Sequence, residues 1–139
     1  MTPSELSDLH TRAFTTERGW STHEFERLLS LNSSSLFTRP HGFLLVQTVL
    51  DEAEILTLAV DPSQRRQGTA DALMRDFFDA TGTANILLEV AQDNEAALAL
   101  YNKLGFKVSG TRSAYYDRAD GPKVDAVLMT RAMTHRHSS

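Results

Sequence analysis

The chain has 139 residues, of which 41% are hydrophobic and 23% are charged, a composition typical of one ordinary globular domain. It contains no cysteine, which excludes disulfides, thiolate metal sites and a cysteine nucleophile. The formal net charge of −4 argues against a non-specific nucleic-acid binder, which usually presents a basic surface. No apolar run approaches the roughly 20 residues of a membrane span, and the polar start lacks a signal-peptide core. We therefore expect a cytoplasmic protein without a membrane anchor.

The hydrophobic pattern predicts one domain over residues 1–133, followed by a disordered tail over residues 134–139. Two histidines in the tail, His135 and His137, have no third ligand nearby in the sequence. The sequence therefore predicts no metal site.

The first quarter of the chain predicts two helices. Ser4–Phe14 has apolar residues at helical spacing. Ser21 resembles an N-cap, and Glu24 follows three residues later, as in a capping box. The second helix would end in the polar run Asn32–Ser35.

Strands and one helix are predicted through the middle of the chain. Leu36–Thr38 reads as a short strand, and Gly42–Leu50 and Glu54–Val60 are close enough in sequence to form a hairpin. The pattern then predicts a helix over Asp71–Ala80 and a strand over Asn85–Ala91.

The last part predicts a helix over Asn94–Leu104, with Gly105 at the position that favours a C-terminal glycine. Two strands follow, Phe106–Tyr116 and Val124–Arg131. The order of elements predicts a mixed α/β sheet flanked by helices.

A polar loop with one glycine connects the Glu54–Val60 strand to the next helix. A loop that leads into a helix N-terminus directs several backbone N–H groups toward one point, which favours an anion. Gly68 and the small Ala70 would allow a phosphate to approach the backbone, and Arg65 and Arg66 add positive charge. Taken alone, the pattern is equally compatible with a charged surface loop.

Two segments together resemble the signatures of the GNAT acetyltransferase family. The stretch Arg65-Arg66-Gln67-Gly68-Thr69-Ala70 matches the pattern Gln/Arg-x-x-Gly-x-Gly/Ala. The second segment, from Asp93 to Phe106, resembles Asn-x-x-Ala, then Leu-Tyr, then Gly-Phe. The resemblance covers about Gly42 to Met133.

The resemblance implies an α/β GNAT fold with a mixed, mostly antiparallel central sheet, splayed at the cofactor site and flanked by helices. It implies acetyl-coenzyme A as co-substrate and no metal. The resemblance assigns cofactor binding to the backbone of Leu58, Ala59 and Val60, to the loop residues Arg65, Arg66, Gln67, Gly68, Thr69, Ala70 and Asp71, and to Asn94. Asp71 stands where many relatives have a basic residue, so an acid near the pyrophosphate would weaken affinity.

The resemblance also assigns catalytic roles to Glu89, as general base, and to Tyr101, as general acid. An amine must be neutral to attack a thioester, and a carboxylate can take its proton, while a phenol can protonate the leaving thiolate. Two alternatives remain open. Glu89 would otherwise pair with an arginine at a sheet end, and Tyr101 would otherwise be a core tyrosine.

Within the family, the chain most resembles enzymes that acetylate the N-terminal alanine of a small-subunit ribosomal protein. Trp20, Tyr115 and Tyr116 are candidates for the acceptor site. Trp20 would otherwise form a hydrophobic staple on its helix. The alternatives for function are acetylation of a lysine side chain or a small-molecule amine, and a non-catalytic acyl-coenzyme A-binding module.

Overall fold

The computed structural model describes residues 1–134, which form one six-stranded mixed sheet flanked by four α-helices. In chain order the elements are α1 (Pro3–Ala13), α2 (Thr22–Leu29), β1 (Ser34–Arg39), β2 (Gly42–Val49), β3 (Glu52–Val60), a 3₁₀ turn (Pro62–Gln64), α3 (Thr69–Ala80), β4 (Asn85–Ala91), α4 (Glu95–Lys103), β5 (Lys107–Tyr116) and β6 (Val124–Ala132). The tail residues His135–Ser139, with the two histidines considered above, lie outside the described residues.

The strands follow the order β1-β2-β3-β4-β6-β5. Antiparallel pairing joins β1 to β2, β4 to β6 and β5 to β6, whereas β3 and β4 are parallel. The predicted mixed, mostly antiparallel sheet is therefore confirmed.

The described chain divides into two compact units, and β3 contributes to both of them. The first unit contains Met1–Thr48 and Leu56–Thr81. The second unit contains Val49–Ile55 and the chain from Gly82 onward.

Both helices at the start of the first unit begin with capping boxes. In α1, the Thr2 hydroxyl accepts from the Glu5 N–H and the Glu5 carboxylate accepts from the Thr2 N–H. The predicted box at Ser21 and Glu24 is confirmed by the same reciprocal pair of bonds. Each box satisfies N–H groups that have no partner inside the helix.

The core of the first unit lies between these helices and the sheet. Phe25 of α2 contacts Phe43 of β2 edge to face, with ring centroids 5.6 Å apart. The apolar side chains that share this core are Leu6, Leu9, Phe25, Phe43, Leu45 and Ala59. Because Leu44 and Val46 are also buried, β2 buries both of its faces, which explains its continuous apolar sequence.

One polar side chain, His10, lies inside that core with only 3% of its surface exposed. Its ring stacks on Phe14 and Trp20, at centroid distances of 4.5 and 4.8 Å. Its Nδ1 accepts a hydrogen bond of 3.1 Å from the Trp20 N–H, which requires a neutral ring nitrogen. Burial lowers the pKa of His10 from 6.5 to about 4, because a buried imidazolium would lose its hydration.

The second unit contains α4 and the antiparallel strands β4, β6 and β5. Asn94 caps α4, because its side chain accepts from the Ala97 N–H at 3.2 Å. Gly105 ends the helix with a φ of +94°, a left-handed conformation that favours glycine and was expected there. The ring of Phe106 then packs on Tyr101, with centroids 5.6 Å apart.

Predicted boundaries were wrong in two places. Ser34 and Ser35 belong to β1 rather than to the end of the second helix, because they pair with Gln47 and Val46 across the sheet. The helix α3 begins at Thr69, two residues before the predicted start at Asp71. In both places the polar side chains suggested a loop. Pairing with β2 decides where β1 begins, and α3 begins directly after Gly68, an N-cap residue that makes no side-chain hydrogen bond.

We expect the free energy of unfolding to fall by about 2 kcal/mol as the pH is lowered from 6.5 to about 5. In this range the unfolded chain takes up a proton at His10, whereas the folded protein, in which the pKa of His10 is about 4, remains largely unprotonated there. Proton uptake therefore stabilises the unfolded state and lowers the free energy of unfolding. The carboxyl of Glu24, whose pKa is lowered from 4.5 to about 2 mainly by its hydrogen bond from Arg18, contributes only at lower pH. Urea titrations of the wild type and of His10→Gln would measure the effect.

The variant His10→Gln should lose this pH dependence, whatever its stability at neutral pH. The control is His23→Gln, which removes an exposed histidine of α2 and keeps His10. If the free energy of unfolding of His10→Gln fell with decreasing pH as steeply as that of the wild type, the assignment of this pH dependence to His10 would be contradicted.

Candidate active site

The loop before α3, in the first unit, leads directly into the first turn of that helix. Arg66 and Gly68 both have left-handed backbone conformations, with φ of +65° and +77°. Gly68 is the N-cap of α3, and no side chain caps the helix. The first helical bond of α3 runs from the Ala72 N–H to the Gly68 carbonyl, so the N–H groups of the first turn point outward. This arrangement suits an anion such as a phosphate.

Two charged side chains of this segment, Arg65 and Asp71, have partners within the protein. Arg65 donates a 2.9 Å hydrogen bond to the Ala13 carbonyl at the end of α1. Asp71 forms an ion pair of 2.7 Å with Arg75, one turn later in α3. The positive charge of Arg75 offsets the negative charge of Asp71, which lies next to the predicted anion site.

The strand before the loop, β3, supplies the backbone predicted to pair with a pantetheine arm. Its parallel register with β4 joins Glu52–Glu54 to Asn85–Leu87. Leu58, Ala59 and Val60 lie after this paired stretch.

In the second unit, Glu89 on β4 has an arginine partner. Its Oε1 lies 3.0 Å from Nη2 of Arg112 on β5, and the Glu89 side chain is 25% exposed. The register explains the contact: Glu89 is opposite Leu128 and Arg112 is opposite Ala126, so both point to one face with β6 between them. The ion pair that the sequence left open as an alternative is therefore present.

Tyr101, on α4 of the same unit, is buried with 7% of its surface exposed and packs on Phe106. Burial raises the pKa of its phenol above the ordinary value, so the hydroxyl keeps its proton through neutral pH. Tyr101 is therefore buried like a core tyrosine, and its hydroxyl is protonated, as a proton donor must be.

Tyr115 and Tyr116 belong to a row in which two tyrosine rings lie between two arginine side chains. The Arg112 guanidinium lies 5.5 Å from the Tyr115 ring centre, and the two tyrosine rings meet edge to face at 5.1 Å. The row continues with Arg118, 5.9 Å from the Tyr116 ring. Tyr115 remains 50% exposed, so this row presents an aromatic surface near Glu89.

The row ends at Asp93, the residue before Asn94. Arg118 binds the Asp93 carboxylate through two hydrogen bonds of 2.6 and 2.7 Å. These bonds hold the pKa of Asp93 below its ordinary value.

Trp20, the third acceptor candidate, lies in the first unit. Its ring packs on Phe25 at a centroid distance of 5.6 Å. Trp20 directly precedes the N-cap of α2 and Phe25 is the fourth helical residue, so the pair is the hydrophobic staple that the sequence offered as an alternative.

The acetyltransferase (GNAT) family model matches residues 4–106 of this chain. The chain belongs to this family. The acetyltransferase is 37% identical over 116 residues to the [ribosomal protein bS18]-alanine N-acetyltransferase of Escherichia coli K12, covering 81% of this chain and 77% of that protein. It is 34% identical over 134 residues to the N-alpha-acetyltransferase RimI of Mycobacterium tuberculosis, covering 90% of this chain and 83% of that protein.

Solved structures show the same fold. The crystal structure of the E. coli ribosomal-protein-S18-alanine N-acetyltransferase superposes with a TM-score of 0.84 at 32% identity, covering 95% of this chain and 88% of that one. Arabidopsis thaliana NAA60 in complex with acetyl-CoA superposes with a TM-score of 0.79 at 19% identity, covering 95% and 93%. The predicted GNAT fold and enzyme class, an N-acetyltransferase, are confirmed.

The described residues contain neither a candidate metal cluster nor a candidate membrane-spanning helix. Residues 1–134 contain no group of three or more histidine, cysteine, aspartate or glutamate side chains placed to hold a metal ion. None of the helices in that part of the chain has the length and apolar character needed to cross a membrane.

Three partner residues were not predicted from the sequence: Arg75 in the first unit, and in the second unit Arg112 and Asp125, whose carboxylate accepts from the Ala114 N–H. Arg75 follows Asp71 by four residues in a predicted helix, and this spacing was a usable signal. Arg112 and Asp125 act across strands, and the register that brings them to their partners is not visible in the sequence.

We expect Gly68→Ala to lower the free energy of unfolding by about 1 kcal/mol, because alanine is strained at a left-handed φ. No atom lies within 4 Å of an added Cβ at Gly68, so backbone strain is the only source of the loss. The control, Gly82→Ala, also has open space but no left-handed φ, and it should be neutral. Equal unfolding midpoints of the two variants in urea would contradict the prediction.

Proposed function

We propose that this acetyltransferase moves the acetyl group of acetyl-CoA to the N-terminal α-amino group of a protein, with ribosomal protein bS18 as the candidate acceptor. The observation that carries the proposal is the 37% identity to the E. coli enzyme named for bS18 alanine acetylation. The relative from M. tuberculosis carries the name N-alpha-acetyltransferase, which refers to the same kind of acceptor. A ribosomal acceptor would place the enzyme in the cytoplasm.

The loop before α3 supports the cofactor part of the proposal. The outward-facing N–H groups of the first turn of α3 and the open space at Gly68 fit a pyrophosphate. The backbone of Leu58, Ala59 and Val60 would pair with the pantetheine arm, and acetyl-CoA would supply a thioester that an amine can attack. Gly68→Ala should therefore also weaken acetyl-CoA binding in calorimetry, whereas Gly82→Ala should not.

The proton movements are assigned to two residues of the second unit. We assign Glu89 to take the proton from the attacking amine, directly or through one water, and Tyr101 to give a proton to the departing sulfur. The nitrogen–carbon bond forms as the carbon–sulfur bond breaks, and no covalent enzyme intermediate is needed. Tyr101 is protonated at neutral pH and so has a proton to give, while burial, which raises its pKa, makes it a weaker acid than a phenol in water.

Glu89→Gln should lower kcat about 100-fold or more and leave acetyl-CoA affinity unchanged. Without the base, the rate should rise more steeply with pH, because the amine, with a pKa of about 8, must lose its proton to the solvent. The matched control is Glu54→Gln, at an exposed position of β3. An unchanged kcat and pH profile in Glu89→Gln would show that the carboxylate serves only its ion pair with Arg112.

Tyr101→Phe keeps the ring that packs on Phe106 and removes only the hydroxyl. We expect kcat to fall about 100-fold, with little change in the unfolding midpoint. A loss of stability with a normal kcat would identify Tyr101 as a core residue alone.

The acceptor is tested with a peptide that carries the mature N-terminus of bS18, beside an N-terminally blocked peptide that contains lysine. Mass spectrometry after incubation with acetyl-CoA locates the acetyl group. Modification of the α-amino group alone supports the proposal, and modification of lysine alone replaces it with a lysine acetyltransferase. Tight acetyl-CoA binding without acetylation of either peptide or of small amines would favour a binding module.

A further inference from the structure

The β5–β6 pair contains an irregularity that the reaction described above does not explain. Arg112 is paired with Ala126 and Tyr116 with Val124, so three residues of β5, Ser113–Tyr115, lie opposite the single residue Asp125. In the centre of this bulge Ala114 has a φ of +50°. Alanine is strained in that left-handed conformation, so the conformation persists only if neighbouring groups hold it.

Asp125 is the group that holds the bulge. Its Oδ1 accepts a 2.8 Å hydrogen bond from the Ala114 N–H. Its own carbonyl accepts a 2.9 Å hydrogen bond from the N–H of Gln92, which directly follows β4. One residue therefore connects the bulge of β5 with the end of the strand that carries Glu89.

The bulge changes which side chains share a face. In a regular strand, residues three apart such as Arg112 and Tyr115 point to opposite faces of the sheet. Here the Arg112 guanidinium lies 5.5 Å from the centre of the Tyr115 ring, a contact that requires the inserted residues. The same guanidinium contacts Glu89 at 3.0 Å, so the bulge places an aromatic ring against the arginine that pairs with that carboxylate.

We propose that Asp125 is a positioning residue for acetyl transfer: through its bond to Ala114 it holds the bulge that places the Tyr115 ring against Arg112, the partner of Glu89. The inference rests on the proposed function insofar as Glu89 serves as the base. Asp125 acts in this role through the backbone of β5.

The test compares Asp125→Ala with Asp125→Asn. The alanine variant removes the acceptor of the Ala114 N–H, and kcat/KM for the acceptor peptide should fall about tenfold or more, because the groups around Glu89 shift. The pH profile of kcat should change with it. Asparagine retains Oδ1 as an acceptor, so Asp125→Asn should restore kcat/KM to within about threefold of the wild type.

A second background separates positioning from general loss of structure. Glycine adopts the left-handed conformation without strain, so Ala114→Gly should make the bulge less dependent on Asp125. Asp125→Ala should then lower kcat/KM by a smaller factor in the Ala114→Gly protein than in the wild type. The control on the same strand pair is Ser109→Ala, which removes side-chain hydrogen bonds outside the bulge and should leave kcat/KM unchanged.

A structural readout keeps this inference separate from the proposed function. Amide hydrogen exchange at Ala114, followed by NMR, should accelerate in Asp125→Ala and remain slow in Asp125→Asn. If the wild type acetylates no N-terminal peptide, the proposed function fails, and the exchange data still decide whether Asp125 holds the bulge. Unchanged exchange at Ala114, or a kcat/KM of Asp125→Ala within twofold of an active wild type, would overturn the inference.

Discussion

Pairing of β6 with β4 along one edge and with β5 along the other is the constraint on which the second unit depends. Because antiparallel partners share a face, this double register brings Glu89 of β4 and Arg112 of β5 together across β6. Ala126, opposite Arg112, has a short side chain, so the longer side chains of Arg112 and Glu89 can meet across β6. A shift of either register by one residue would send one of the two charges to the opposite face.

Ion pairs in each unit serve orientation more than stability. Asp71 in the first unit, and Glu89 and Asp93 in the second, each have an arginine partner, and all three pairs are at least partly exposed to solvent. Pairs of this kind contribute little to the free energy of unfolding, because water screens them and ordering the side chains costs entropy. Their effect is to fix the direction of a carboxylate, which matters where a proton must be transferred.

Much of the fold could be predicted from local patterns. The capping box at Ser21, the C-terminal glycine at Gly105 and the strand Asn85–Ala91 were all found where the sequence placed them. The predictions failed at polar segments such as Ser34 and Ser35, where cross-strand partners decide the structure. Local chemistry is sufficient for caps and turns because their hydrogen bonds join residues three to five apart.

The sequence by itself determined the family, the order of elements and the candidate residues, because those follow from motifs and from the spacing of apolar side chains along the chain. It left open whether Glu89 had an arginine partner and whether Trp20 formed a staple, and only the tertiary structure decided both. The bulge at Ala114 and its bond to Asp125 were not visible in the sequence. Strand register and bulges bring together residues that are distant along the chain, and such contacts exist only once the sheet has formed.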